Sequence, residues 1–290
     1  LFYLNEDFFS YRWGFISLTA IAYTVFGMSD ASSAVVPTLV LLATVLLVFY
    51  NLKNNRKRVS VLAVLLLVLD NWSLYYSDKL MPDTLVGFLV FAAFSVLYHL
   101  RYNQKGKQEI LPALLLTAIL FFGYLSKQSI LLLFPVFFSL LLLDLWQGKH
   151  RQFWWYTVFF CILFGCAYLL FIYLLTGDPL MRFHAVEQGL NDNLGTGRSF
   201  SFCNYAVQPW SVLGYRIGFE MFYKFMATGM MLSLMFGIAG IFQYNLKNLI
   251  VKTSAQNYWA LILLLSLLST NFMTTSYKAY LPICPDIRHF

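Results

Sequence analysis

Of 290 residues, 60% are hydrophobic, 11% are charged and the formal net charge is +7. Soluble domains carry roughly 25% charged residues, so this composition excludes an ordinary soluble domain. The basic excess is concentrated in short connections between apolar runs, which excludes a nucleic-acid-binding surface and points to membrane topology.

Apolar runs of about 18 residues match the roughly 30 Å hydrocarbon core at 1.5 Å rise per residue. In chain order, Gly14 to Met28 is too short for a span and reads as a helix at the interface. Eight candidate spans follow, at 31–50, 59–76, 83–100, 110–125, 129–146, 153–175, 219–242 and 258–273. None alternates with period two, so they read as helices rather than barrel strands. Pro135 is expected to kink the fifth span. The expected fold class is an all-α polytopic membrane protein, with a single domain over 1–290 and one long loop at 176–218.

Four alternate connections, at 51–58, 101–109, 147–152 and 243–257, hold eleven of the twenty lysines and arginines and one acid, Glu109. By the positive-inside rule they face the cytoplasm. Most acids map to the opposite face: Glu6, Asp7, Asp30, Asp78, Asp83, Asp178, Glu187, Asp192, Glu220 and Asp286. That face also has the aromatic loop 176–218, which reads as an ordered lid over an external site.

The hairpin "SLYYSDKLMPDT" (73–84) brings Asp78, Lys79 and Asp83 to this face, with Pro82 placed to start a helix and Asp83 in its first turn. Arg12 precedes the interfacial helix, Lys127 separates two apolar runs, and Arg182 and His184 follow "TGDP". Arg288 and His289 lie near the end of the chain. Separate cations on an acidic, aromatic face suit an anionic, partly apolar ligand such as a lipid-linked phosphate. Each has a plainer reading: helix capping for Asp83, a solvated turn for Asp78 and Lys79, a snorkelling amine for Lys127. Asp144, close to "WQGKHR", is expected at the inner headgroups, and Asp70 in the outer half of its helix. Cys161 and Cys166 read as small packing residues, while Cys203 and Cys284 share the outer side. No metal-ligand spacing or phosphate-binding glycine loop is present in the sequence.

The ordered series resembles the GT-C membrane glycosyltransferases, in the branch of protein O-mannosyltransferases, lipid A aminoarabinose transferases and lipopolysaccharide-core transferases. It comprises "YRWGFISLTAIAYTVFGMSDASSAVVPTLVLLATVLLVFYNLKN" (11–54), "SDKLMPDTLVGFLVFAAFSVL" (77–97), "GYLSKQSILLLFPVFFSLLLL" (123–143) and "YLLTGDPLMRFH" (173–184). The resemblance implies a GT-C-like bundle. It also implies transfer from a polyprenyl-phosphate-linked sugar to a lipid, glycan or protein acceptor, with no metal or cofactor. The expected setting is a bacterial inner membrane with the active face periplasmic or extracellular. Asp83 matches the second acidic site residue of these enzymes; Arg12 and Lys127 match donor-phosphate contacts, and Arg288 matches more loosely. Their principal acid lies earlier in the chain, so Glu6 or Asp7 fills that role here, or the base lies upstream of Leu1. Two other readings stand beside this one. A transporter or flippase predicts inverted repeats and midplane polar groups, and a polysaccharide polymerase or ligase lacks the early interfacial helix and the Pro-Asp hairpin in this order.

Overall fold

The computed structural model describes residues 12–52, 57–68, 78–103 and 109–185, with eight positions between 258 and 269. The described residues are helical, joined by short turns. A first helix, α1 (Trp13–Phe26), ends at Gly27, whose φ of 76° lies in the left-handed region that glycine tolerates. Ser29 then opens α2 (Asp30–Leu52) through a reciprocal cap. The Ser32 amide donates to Ser29 Oγ at 3.1 Å and the Ser29 amide to Ser32 Oγ at 2.9 Å, so a serine stands where a capping box usually has Glu. Next come α3 (Lys57–Val68), α4 (Pro82–Asn103) and α5 (Ile110–Ser126). A 3₁₀ turn (Gln128–Leu133) leads into α6 (Phe134–Trp146), and α7 (Arg151–Thr176) follows.

These helices fall where the apolar runs predict. Four stretches are long and apolar enough to cross a bilayer: α2, α4 from Pro82 to Tyr102, the composite Gln128–Trp146, and α7. The expected span 59–76 is described only as far as Val68, 258–273 only at scattered positions, and 219–242 lies outside the described residues. Pro135 does not kink the middle of a regular helix. The segment starts as a 3₁₀ helix and becomes α-helical at Phe134, so Pro135 occupies a first-turn position where its missing N–H costs nothing.

Chain direction divides the bundle into two ends. The start of α4, the end of α5 and the end of α7 meet at one, the Asp83 end. At the other, the Arg101 end, Arg101 donates to Asp144 at 2.7 Å and Trp154 Nε1 donates to the same carboxylate oxygen at 2.8 Å. Asp144, near the end of α6, is buried at this end of the bundle, where its charge is matched inside the protein by Arg101. Nearby, Glu109 accepts from the Phe153 amide at 2.7 Å and meets His150 Nδ1 at 3.0 Å, which ties the first turn of α7 to the start of α5.

The core between the ends is made by α4, α5, α6 and α7 around Ala93, Leu97, Leu116, Leu140 and Phe153, joined by Tyr258, whose hydroxyl donates to the Phe94 carbonyl at 2.8 Å. Ala93 and Ala113 are completely buried, which permits the close helix approach that membrane bundles use in place of a hydrophobic drive. α1 lies across the Asp83 end. Its Trp13 packs edge-on to Phe171 of α7 at 5.5 Å, and its Tyr23 shares a 2.8 Å hydrogen bond with Ser33 in the first turns of α2.

Most of α7 faces away from the protein. Cys166 sits on this exposed side and is not the packing residue the sequence suggests, whereas Cys161, though exposed, brings its thiol to Thr117 of α5. Trp155 and Tyr173 are also outward, at 72% and 54% exposure, and are separated by about 27 Å along the helix axis.

Candidate functional site

Pro82 and Asp83 are the first two residues of α4, and Lys127 is the single extended residue between α5 and the 3₁₀ turn, at φ −158° and ψ 130°. The extended residue ends the α5 ladder and turns its side chain toward α4. Lys127 Nζ donates to Asp83 Oδ1 at 2.5 Å. The side chains are 18% and 14% exposed, so the pair is set into the end of the bundle but remains reachable. Two helix ends reinforce it. The N-terminus of α4 favours the carboxylate and the C-terminus of α5 favours the ammonium.

Other sequence candidates converge on this corner through their neighbours. Arg12 precedes α1, and its carbonyl accepts from the Ile16 amide at 3.0 Å. Gly14 lies directly against the last turn of α5. A Cβ there would fall inside the Ser126 hydroxyl and 2.9 Å from the Phe122 carbonyl, so only glycine lets α1 approach the residue preceding Lys127. Arg182 reaches the same turn from the far side, donating to the Tyr124 carbonyl at 2.7 Å. The structure thus gathers Asp83, Lys127 and Arg182 around the final turn of α5, with the Arg12 backbone two residues before the Gly14 contact.

The remaining candidates lie farther out or outside the described residues. Lys79 and Asp78 pair with each other at 3.4 Å in the exposed approach to α4. His184 pairs with Asp178 at 2.8 Å, also exposed. Asp178 accepts from the Leu180 amide at 2.9 Å, and these contacts, led by the backbone one, hold its carboxyl below the usual range. Glu6, Asp7 and Arg288 lie outside the described residues, as do Asp70, Cys203 and Cys284. Three partners were not singled out from sequence: Gly14, Tyr124 and Tyr168. Their importance depends on helix rotation, and uniformly apolar helices give no periodic signal for it.

An apolar groove of about 1190 Å³ between α2, α4 and α5 is a separate feature. Its α4 lining includes Phe88, Ala92 and His99; Ala92, nine residues from Asp83, is about half a turn of azimuth away from it. Phe88 and Ile119, at the groove's near end, pack against the cluster that includes Phe15 and Ala22 of α1, so the groove and the ion pair occupy different faces of α4.

A search of the curated proteins and a search of the solved structures return no match. A profile of the dolichyl-phosphate-mannose-protein mannosyltransferase family matches residues 15–173, a stretch that includes Asp83 and Lys127. With that match covering more than half of the chain, and with membrane-length helices at the expected places, the protein belongs to the dolichyl-phosphate-mannose-protein mannosyltransferase family of GT-C-type membrane glycosyltransferases.

Proposed function

We propose that the protein moves a sugar from a polyprenyl-phosphate-linked donor to a hydroxyl of a lipid, glycan or protein acceptor, at the non-cytoplasmic face of a bacterial inner membrane. The observation that carries this reading is the Asp83–Lys127 pair, set at the end of the bundle opposite the Lys/Arg-rich connections in a chain of this family. Charge explains the division of labour. Departure of a prenyl phosphate leaves negative charge on its oxygens, and fixed cations aimed at that position lower the barrier. Lys127 and Arg12 supply them. A carboxylate accepts the proton of the acceptor hydroxyl as its oxygen attacks the anomeric carbon.

In the free protein Lys127 is occupied by Asp83. An incoming phosphate competes for the ammonium, and Asp83 then faces substrate with less of its charge neutralised. Asp83 either orients the acceptor or acts as base beside an acid earlier in the chain, with Glu6 and Asp7 the nearest candidates. Asp78 and Lys79 line the approach, and the aromatic loop read from sequence as a lid lies, beyond residue 185, outside the described residues.

The test is transfer of radiolabelled mannose from a polyprenyl-phosphate mannose by membranes containing wild type or Asp83→Asn. Loss of about 100-fold or more is expected, the scale of a positioned acid–base group. Wild-type transfer by the variant removes Asp83 from the site.

A further inference from the structure

Arg182 lies six residues past the end of α7, yet it is only 3% exposed. Its guanidinium carbon sits 4.3 Å from the centroid of the Tyr124 ring, Nη2 donates to the Tyr124 carbonyl at 2.7 Å, and Nη1 approaches the Tyr168 hydroxyl at 3.5 Å. The carbonyl belongs to a particular place. At the end of α5, the Phe122 carbonyl accepts from Ser126 Oγ at 2.9 Å and the Gly123 carbonyl from the Lys127 amide at 2.8 Å. The Tyr124 carbonyl comes next, where the chain leaves the α-helix because Lys127 is extended. A side chain 58 residues downstream substitutes for the missing turn, and its charge complements the negative end of the helix.

The turn that presents Arg182 is itself organised. Gly177, at φ 77°, ends α7; Thr176 Oγ1 accepts from the Asp178 amide at 3.2 Å, and Asp178 holds both the Leu180 amide and His184. This turn is the root of the connection 176–218.

We infer that Arg182 is a positioning residue: it latches the root of this connection to the last turn of α5 and so fixes the direction in which Lys127 points. The inference rests on the reading of Lys127 as a donor-phosphate contact. It replaces the expectation that Arg182 itself binds substrate. A guanidinium enclosed this fully, stacked on one ring and bonded to a carbonyl, meets a ligand only by leaving its seat. Lys127 is three residues from the anchored carbonyl, with no flexible linker between them, so loosening of the latch is felt first at its side chain.

The test is a thermodynamic cycle read by binding of a short-chain polyprenyl monophosphate to the purified full chain. The proteins are wild type, Arg182→Met, Lys127→Met and the double variant. Arg182→Met is expected to weaken binding about 10-fold when Lys127 is present, the lower range for a hydrogen bond to a charged group, and less than about 2-fold when it is absent. Equal factors in both backgrounds overturn the proposal and return Arg182 to a direct or independent role. Unchanged binding by Lys127→Met overturns both the proposal and the assignment of Lys127, so the two failures are distinguishable. Where Arg182→Met does not fold, Tyr124→Leu, which removes the stacking ring and keeps the carbonyl, takes its place in the same cycle with the same expected pattern.

Discussion

Replacing Lys127 by Met strands the Asp83 carboxylate, and replacing Asp83 by Asn strands the Lys127 ammonium. At 2.5 Å and an effective dielectric constant of about 20, the gross attraction between them is roughly 6–7 kcal/mol. Desolvation of two groups less than one-fifth exposed offsets most of that. The net coupling lies between about 1 kcal/mol, typical of surface pairs, and about 5 kcal/mol, the cost of breaking a fully buried one; about 2 kcal/mol is expected here. Thermal unfolding of the purified protein in detergent reads this as a drop of roughly 4–8 °C for either single variant. Asp83→Asn/Lys127→Met should recover about half of the summed loss, because neither charge is then left alone. Sugar transfer should stay abolished in the double variant, since compensation restores the fold and not the reactive groups. Losses that simply add refute the coupling; transfer that returns with stability refutes a chemical role for the pair.

Gly14→Ala places a methyl against a backbone carbonyl that has nowhere to go; a loss of about 1–3 kcal/mol is expected, checked by the unfolding midpoint, together with reduced transfer because the displaced turn precedes Lys127. At the opposite end, Asp144→Asn leaves the Arg101 charge without its carboxylate in a buried site and should cost about 3–5 kcal/mol, seen as a collapse in the yield of folded protein, whereas Glu109→Gln retains an acceptor for the Phe153 amide and should cost less. The lowered pKa of Asp178 sets a pH dependence. Because the folded value lies below the unfolded one, the carboxylate stabilises its turn above the ordinary Asp range of about 3.9, and this support is lost as pH falls through the lower folded value. Hydrogen exchange of residues 179–185, corrected for intrinsic rates, should therefore show protection falling only at strongly acidic pH in wild type. In Asp178→Ala, which removes the acceptor for the Leu180 amide, protection should be low throughout.

Span positions could be read from the sequence because hydrocarbon thickness sets helix length with little regard to sequence detail. Pro82 could be placed at the first position of α4 because a missing N–H is harmless only there. The common end shared by Asp83 and Lys127 also followed, since chain direction reverses with each span. Their direct contact did not. It depends on how α4 and α5 are rotated about their axes, and helices apolar all round carry no stripe from which rotation can be inferred. The same gap hid Arg101–Asp144 and the seat of Arg182 under Tyr124. Cys166 illustrates the converse: an apolar run does not distinguish residues facing lipid from residues facing protein, so its outward placement became visible only in the fold.

The outward aromatic pair on α7 works as a depth gauge. Indole and phenol rings prefer the water–lipid boundary, and the roughly 27 Å between Trp155 and Tyr173 nearly equals the oily slab of a membrane. With both rings at their preferred levels, Thr176 and the latch beyond it sit at the plane of the lipid phosphates. A one-residue insertion between those rings would raise that plane by about 1.5 Å and swing it about 100°, so the length of one greasy helix calibrates how far the polar machinery stands above the hydrocarbon.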